Sequence, residues 1–72
     1  PASITVANIL ANPLRALAPL IAACTRTGGR IALSGILDEQ ADEVASAYLP
    51  FARMQVAGRE AGWVLLAGRR EA

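Results

Sequence analysis

The first third of the chain changes from a strand-like to a helix-like spacing of apolar residues. The β-branched run from Ile4 to Ala7 predicts a strand that ends near Asn8. Asn12 followed by Pro13 indicates a helix start, because the asparagine side chain can cap free N–H groups and proline has no N–H to leave unpaired. We therefore expect a helix to begin at this pair.

The predicted helix has one apolar face and a break within it. Its apolar positions recur at helical spacing: Leu14, Leu17, Ala18, Ile21 and Cys24. Pro19 removes one hydrogen bond of the helical ladder and predicts a kink or two abutting helices. Gly28 and Gly29 predict the end of the helix.

A second strand and a second helical region follow. Residues 30 to 35 predict the strand, and their apolar positions 31 to 33 do not alternate with polar ones, which is typical of a parallel strand covered on both faces. An amphipathic helix is expected from Asp38 to Tyr48, closed by Pro50, with acidic residues on its polar face and in its first turns. Its apolar positions recur at helical spacing: Leu37, Ala41, Val44 and Tyr48.

Two further strands close the chain. Met54 and Val56 alternate with polar neighbours and predict a half-buried third strand. Residues 58 to 62 predict a hairpin turn, and the apolar run over residues 63 to 67 predicts a central strand with Trp63 in the core. The order β-α-β-α-β-β predicts an α/β fold, with parallel strands joined by a crossover helix and then an antiparallel hairpin. We expect it to be one half of a doubly wound sheet.

Composition restricts the classes of function. The 72 residues are 54% apolar and 18% charged, which excludes a disordered tail and predicts a packed core. The arginines are scattered and the net charge is +1, so we expect no direct nucleic-acid partner. One cysteine and no histidine argue against a metal site. No apolar run reaches the roughly 18 residues of a membrane span, which predicts a cytoplasmic protein without a membrane partner. A chain that starts at Pro1, directly before a strand, indicates a fragment of a longer protein.

Candidate chemistry lies where the two parallel strands end, because ligands of open α/β sheets bind beyond the carboxyl ends of such strands. Asn8 offers a carboxamide that can hold an amine nucleophile with its lone pair aimed at an electrophile. Alternatively, Asn8 only turns the chain or caps the next helix, and residue type alone favours this structural role. Ser34 lacks the histidine base of a serine nucleophile, so a turn role is favoured there too.

Three ordered blocks of sequence resemble the bacterial PrmA methyltransferases, which methylate the eleventh protein of the large ribosomal subunit. The blocks are residues 6–14 (Val-Ala-Asn-Ile-Leu-Ala-Asn-Pro-Leu), residues 28–37 (Gly-Gly-Arg-Ile-Ala-Leu-Ser-Gly-Ile-Leu) and residues 62–66 (Gly-Trp-Val-Leu-Leu). The resemblance is to the carboxyl-terminal half of the family and covers nearly the whole chain. It implies that residues 1–72 are the carboxyl-terminal fragment of a class I protein N-methyltransferase that uses S-adenosylmethionine, and that they supply the last four strands of its Rossmann-like sheet.

The resemblance also implies roles for individual residues. Asn8 would be catalytic by orienting the amine of the ribosomal protein, and it would contact the cofactor in part. Ile9, Leu10, Ser34 and Ile36 would line a dry pocket for the substrate. The family's glycine-rich loop and ribose-binding acid do not occur in this chain, so the fragment alone is expected to be inactive. Its first strand would lack a neighbour, which predicts self-association.

Other interpretations remain open. A methyltransferase of the same fold can act on another amine or on a nucleobase, although Asn-Ile-Leu differs from the Asn-Pro-Pro-Tyr and Asp-Pro-Pro-Tyr motifs of related enzymes. Half of a nicotinamide-dependent reductase would need a Tyr-x-x-x-Lys pair, and the chain has no lysine. A non-catalytic α/β interaction module predicts a stable, cooperatively folding unit, whereas the fragment interpretation predicts marginal stability.

Overall fold

A computed structural model describes residues 1–71 as one mixed sheet with helices on one side. The chain begins with strand β1 (Ala2–Asn8), continues through helices α1 (Ala11–Ala16) and α2 (Ala18–Ala23), and returns in strand β2 (Thr25–Leu37). A 3-10 turn (Asp38–Gln40) leads into helix α3 (Ala41–Tyr48), and the hairpin of β3 (Gln55–Glu60) and β4 (Trp63–Arg69) follows. Ala72, the last residue of the predicted domain 1–72, lies outside the described residues.

The sheet has the strand order β1-β2-β4-β3. β1 and β2 are parallel, as expected of strands joined by helices, whereas β4 is antiparallel to both β2 and β3. β4 is therefore a central strand, and the predicted α/β arrangement of parallel strands plus an antiparallel hairpin is confirmed for this sheet. Among the strands described here, β1 pairs with β2 alone and forms one edge.

The break at Pro19 is confirmed, but the predicted helix ends are wrong. Pro19 lies in the first turn of α2, where its missing N–H costs nothing, and α1 ends three residues before it at Ala16. Asn12 is not the cap of α1, because the helix already begins at Ala11 and Leu10 occupies the cap position without a side-chain hydrogen bond.

The two glycines predicted to stop the helix lie inside β2, because α2 already ends at Ala23. A Cβ on Gly29 would lie 2.9 Å from the carbonyl oxygen of Ser3 on β1 and 2.8 Å from that of Arg26. Gly28 has φ +83°. The pair thus allows β2 to bulge at the point where its register with β1 shifts, which lengthens the strand beyond the predicted residues 30 to 35.

The hydrophobic core lies between the helices and one face of the sheet. Its sheet side is formed by Ile31, Leu33, Ile36, Val64 and Leu66, and its helix side by Leu14, Ile21, Val44 and Tyr48. Within the described residues, β2 is covered on one face only, because α1, α2 and α3 all pack there and Ala32 points to the other face. An apolar run of three residues had concealed the alternation, since alanine is small enough to stand on an open face.

The hairpin turn is tighter than predicted. β3 continues to Glu60, so only Ala61 and Gly62 form the loop, with φ of 51° and 84°. Positive φ at both positions is what a two-residue hairpin loop of type I′ requires. The turn therefore extends the ladder between β3 and β4 and carries Glu60 next to Trp63.

Candidate functional site

The end of β1 lies beside the carboxyl-terminal part of β2, as their parallel pairing predicts. Asn8 is the last residue of β1, is exposed, and is the register partner of Ser34 on β2. Gly35 follows with φ +80°, and a Cβ built on it would lie 2.7 Å from the carbonyl oxygen of Ile9 and 3.1 Å from Oδ1 of Asn8. Only glycine permits this approach, so residue 35 fixes how closely the Asn8 carboxamide lies to β2.

An open cavity of about 620 Å³ lies beside these strand ends. One wall contains Asn8, Ser34 and Gly35, and the opposite wall comes from the β3–β4 hairpin, with Glu60 and Trp63. The cavity thus combines a carboxamide, a hydroxyl, a carboxylate and an aromatic ring. These groups suit a ligand that bears an amine, because the carboxamide and hydroxyl oxygens accept hydrogen bonds from N–H groups.

The hairpin wall was not predicted as part of a site. Trp63 was expected in the core, but it is 46% exposed, because β4 alternates and Trp63 points away from the helices. Arg59 donates a hydrogen bond from Nε to Oδ1 of Asp38 at 3.2 Å, and both side chains are exposed. This ion pair connects the hairpin to the turn that follows β2. The sequence gives no signal for this exposure, because residues 63 to 67 are an unbroken apolar run and the alternation of burial is visible only in the structure.

The remaining predicted pocket residues lie in different environments. Ile9 and Leu10 follow Asn8 directly and are 38% and 67% exposed, but their side chains are not part of the cavity wall. Ile36 is fully buried in the core, so it does not line the cavity as predicted. The physical reason is the register shift between Leu33 and Ile36, which turns Ile36 to the helix side opposite Val64.

The most strongly shifted titratable group lies away from the cavity. Tyr48 is buried between the helices, and its hydroxyl donates a hydrogen bond to the carbonyl oxygen of Leu14 at 2.9 Å. Burial raises the pKa of Tyr48 to about 12. The phenol is therefore a neutral structural donor that attaches α3 to α1, and it is not an acid or base of the cavity.

Metal ligands do not cluster in the part of the chain that the structure describes. No group of three or more His, Cys, Asp or Glu side chains comes together over residues 1–71. Within the same residues, no helix is long and apolar enough to cross a membrane.

Comparison with known proteins identifies what the chain is similar to. The family model described as ribosomal protein L11 methyltransferase (PrmA) matches residues 1–71. A ribosomal protein L11 methyltransferase from Nitrosomonas europaea is 56% identical over 70 residues, covering 97% of this chain and 22% of the relative. One from Cupriavidus necator is 52% identical over 69 residues, covering 96% of this chain and 23% of the relative. The chain thus spans less than a quarter of the length of these curated relatives.

A solved structure has the same fold. The crystal structure of a ribosomal protein L11 methylase from Lactobacillus delbrueckii subsp. bulgaricus superimposes with a TM-score of 0.84 at 28% sequence identity. The match covers 97% of this chain and 37% of that chain. The mixed four-stranded sheet with its helices on one face is therefore an arrangement that also occurs within a longer methylase chain.

Proposed function

Because this chain belongs to the ribosomal protein L11 methyltransferase (PrmA) family, we propose that it contributes the substrate-facing edge of a protein N-methyltransferase. The substrate is an amino group of the large-subunit ribosomal protein L11, and the methyl donor is S-adenosylmethionine. The names of the relatives support the substrate, and the amine-accepting groups of the cavity support the reaction class.

We propose further that residues 1–72 are the carboxyl-terminal strands of a larger Rossmann-like class I domain. Two features of the sheet support this position. The parallel pair β1–β2 has the crossover helices of a doubly wound sheet, and the outer edge of β1 is open for a further strand. The antiparallel β3–β4 hairpin then closes the opposite side of the sheet.

The observation that carries the proposal is the position of Asn8. Its exposed carboxamide stands at the end of a parallel strand, opposite Ser34 and on the wall of the cavity. In the proposed reaction Oδ1 of Asn8 accepts a hydrogen bond from an N–H of the neutral substrate amine, which aims the nitrogen lone pair along the line of transfer. The Ser34 hydroxyl offers a second acceptor for the same amine. Ile9 and Leu10 offer exposed apolar surface outside the cavity wall to the rest of the substrate.

S-adenosylmethionine, when bound, supplies an electrophilic methyl group on a sulfonium sulfur. Of the residues described here, Asn8 fits its methyl-bearing end, because the carboxamide is exposed at the cavity and next to the strand end. The bound cofactor would donate this methyl group to the amine nitrogen as its own sulfur–carbon bond breaks, and the product ammonium would lose one proton to water. Asn8 holds the geometry throughout and exchanges no proton.

Methyl transfer to L11 tests the proposal. The protein for the assay is the Nitrosomonas europaea relative with its matched region replaced by this chain, given labelled S-adenosylmethionine and unmodified L11. We expect label in L11, a loss of about a hundredfold in kcat/KM for Asn8→Ala, and no label from the 72-residue chain alone. Asn12→Ala is the matched control, since Asn12 is an exposed carboxamide on α1, and it is expected to leave the rate unchanged.

Each outcome bears on a separate statement. An unlabelled L11 with the unsubstituted chimaeric protein contradicts the methyltransferase proposal for this chain. Label in another ribosomal protein would show that L11 is not the substrate, while methyl transfer would stand as the reaction. Equal rates for Asn8→Ala and the unsubstituted protein would show that Asn8 does not orient the amine, while methyl transfer to L11 would stand.

A further inference from the structure

The β3–β4 hairpin places a carboxylate beside an aromatic ring. Glu60 and Trp63 are direct cross-strand partners on either side of the two-residue turn, so their Cβ atoms lie about 5 Å apart on the same face of the sheet. Both side chains are exposed, and both border the cavity of about 620 Å³ that has Asn8 on its other wall. Orientation of the amine by Asn8 leaves this pair without a role.

The charge of Glu60 is not balanced by a neighbouring cation. Arg59, its neighbour in the chain, is paired with Asp38 at 3.2 Å. The other ion pair found within residues 1–71, Arg15–Glu43, joins α1 to α3. Glu60 therefore brings an unneutralised negative charge to a cavity wall that is otherwise formed by apolar side chains of β4.

The Glu60–Trp63 pair suits a positively charged group. A carboxylate accepts hydrogen bonds from ammonium and guanidinium groups, and these charge-assisted bonds are stronger than neutral ones. The face of a tryptophan ring attracts a cation that lies within about 6 Å of the ring centre. Because the two side chains are cross-strand neighbours, one cation can contact both of them. A neutral or anionic group gains neither of these electrostatic contacts.

Glu60 and Asn8 are too far apart to hold the same nitrogen. The strand order places β1 and β3 three strand spacings apart, which is about 14 Å between their backbones. The two side chains together are too short to close this distance on a single amine. Glu60 is therefore positioned for a different group of the substrate. An extended polypeptide advances about 3.5 Å per residue, so this group lies about four residues from the modified amine, or equally far across a folded surface.

We propose that Glu60 and Trp63 form a subsite for a second cationic side chain of the protein substrate, an ammonium or guanidinium group near the amine that is methylated. The Glu60 carboxylate pairs with this cation and the Trp63 ring packs against it, which holds the neighbouring amine at Asn8. Glu60 is thus a specificity-determining residue that favours substrates with two positive charges at this spacing. The proposal rests on the proposed function, since it concerns the same cavity.

Fluorescence of Trp63 tests the subsite without methyl transfer. Trp63 is the single tryptophan of the 72-residue chain, so its emission reports directly on this position. The probe is N-acetylarginine amide, and N-acetylcitrulline amide is its uncharged counterpart. We expect a saturable change with the arginine probe alone, and binding about fivefold weaker in Glu60→Gln. Glu39→Gln is the matched control, because Glu39 is an exposed acid outside the cavity wall, and its binding should be unchanged.

Steady-state kinetics of the chimaeric protein with L11 test the role in substrate selection. Glu60→Gln is expected to raise KM for L11 about fivefold and to change kcat by less than about twofold, because the contact holds the substrate before and during transfer alike. The difference in KM should diminish at about 0.5 M salt, which screens an exposed ion pair. Glu60→Asp should recover most of the loss, whereas a misfolded hairpin would not be rescued by a shorter acid.

Three outcomes overturn the proposal. Equal binding of the arginine probe by Glu60→Gln and the unsubstituted chain would show that the carboxylate holds no cation. An equal response to the citrulline probe would show that positive charge is not recognised. An unchanged KM for L11 in Glu60→Gln would show that the substrate does not use the subsite. If the unsubstituted chimaeric protein does not methylate L11, the proposed function fails, and the fluorescence titration still decides whether Glu60 and Trp63 bind a cation.

Discussion

Replacing Gly35 by alanine tests whether the close approach of the two strand ends constrains the fold. The added methyl group has no free space, since its carbon would lie 2.7 Å from the carbonyl oxygen of Ile9 and 3.1 Å from Oδ1 of Asn8. Gly35→Ala must also keep a φ of +80°, which side chains with a Cβ rarely adopt. Both effects destabilise the folded state, and Gly28 allows them to be separated.

Gly28→Ala is expected to lose only the free energy that the left-handed backbone costs, without a steric contact. Gly28 has φ +83°, nearly the same as Gly35, but no heavy atom lies within 4 Å of its ideal Cβ. Left-handed backbone costs an L-residue about 1–2 kcal/mol, so this is the expected loss for Gly28→Ala. The contact with the Ile9 carbonyl adds a strain of about 1–3 kcal/mol, as insertion of a methyl group into a packed site does. Gly35→Ala is therefore expected to lose about 2–5 kcal/mol in total.

Urea unfolding followed by far-UV circular dichroism measures the difference. With a urea slope of about 1 kcal/mol per molar for a chain of this size, the midpoint of Gly35→Ala should lie about 1–3 M below that of Gly28→Ala. The prediction is also met if Gly35→Ala is already unfolded without urea while Gly28→Ala is folded. Equal midpoints would refute the reasoning, since they would show that the strand ends separate without cost and that residue 35 does not fix the position of Asn8.

Two further predictions concern the buried polar groups of the core. Tyr48 is the single tyrosine, so the ultraviolet absorbance of tyrosinate should titrate with a midpoint at about 12 in the folded chain, against 10.0 unfolded. The folded state keeps the phenol proton of Tyr48 to higher pH than the unfolded state does. The contribution of Tyr48 to stability is therefore constant below the unfolded pKa and is lost as pH rises through the folded pKa. A titration midpoint near 10.0 in the folded chain would contradict the burial of this phenol. The Thr25 hydroxyl donates to the Ile21 carbonyl oxygen at 2.9 Å and lies 2.6 Å from the Thr5 hydroxyl, so Thr25→Val should cost about 1–2 kcal/mol in urea unfolding. Thr27→Val, at an exposed position, should cost less than about 0.5 kcal/mol, and equal losses would show that these hydrogen bonds add nothing.

Features that depend on local spacing could be predicted from the sequence. Ala41, Val44 and Tyr48 recur on one face of a helix and are buried there, because a periodicity of 3.6 residues determines which side chains meet the sheet. Pro19 divides α1 from α2 for an equally local reason, since proline has no N–H for the ladder. The position of Asn8 and Ser34 at one edge of the sheet was also predicted, because parallel strands joined by a helix run in the same direction, whereas their direct pairing is visible only in the structure.

Features that depend on contacts between distant residues could not be predicted. Glycine is a residue type that commonly ends helices, and Gly29 was predicted to do so. In the structure, Gly29 lies within β2, where the carbonyl oxygen of Ser3 on the neighbouring strand leaves no space for a Cβ. Ile36 follows Ser34 and Gly35, which were predicted to form a turn, but all three lie within β2 and a register shift against β4 places Ile36 in the core. Glu60 and Trp63 become neighbours only through a tight turn at Ala61 and Gly62, which brings the hairpin wall to the cavity.

The cavity and the sheet face opposite the helices share residues. Trp63 and Leu65 line the cavity beside Asn8, and the register of the strands places both on the same face as Val6 and Ala67. Any group that covers this face therefore also borders the cavity. In the proposed methyl transfer, the access of water to the amine would then depend on how this face is covered, because exclusion of water strengthens the electrostatic interactions inside a site.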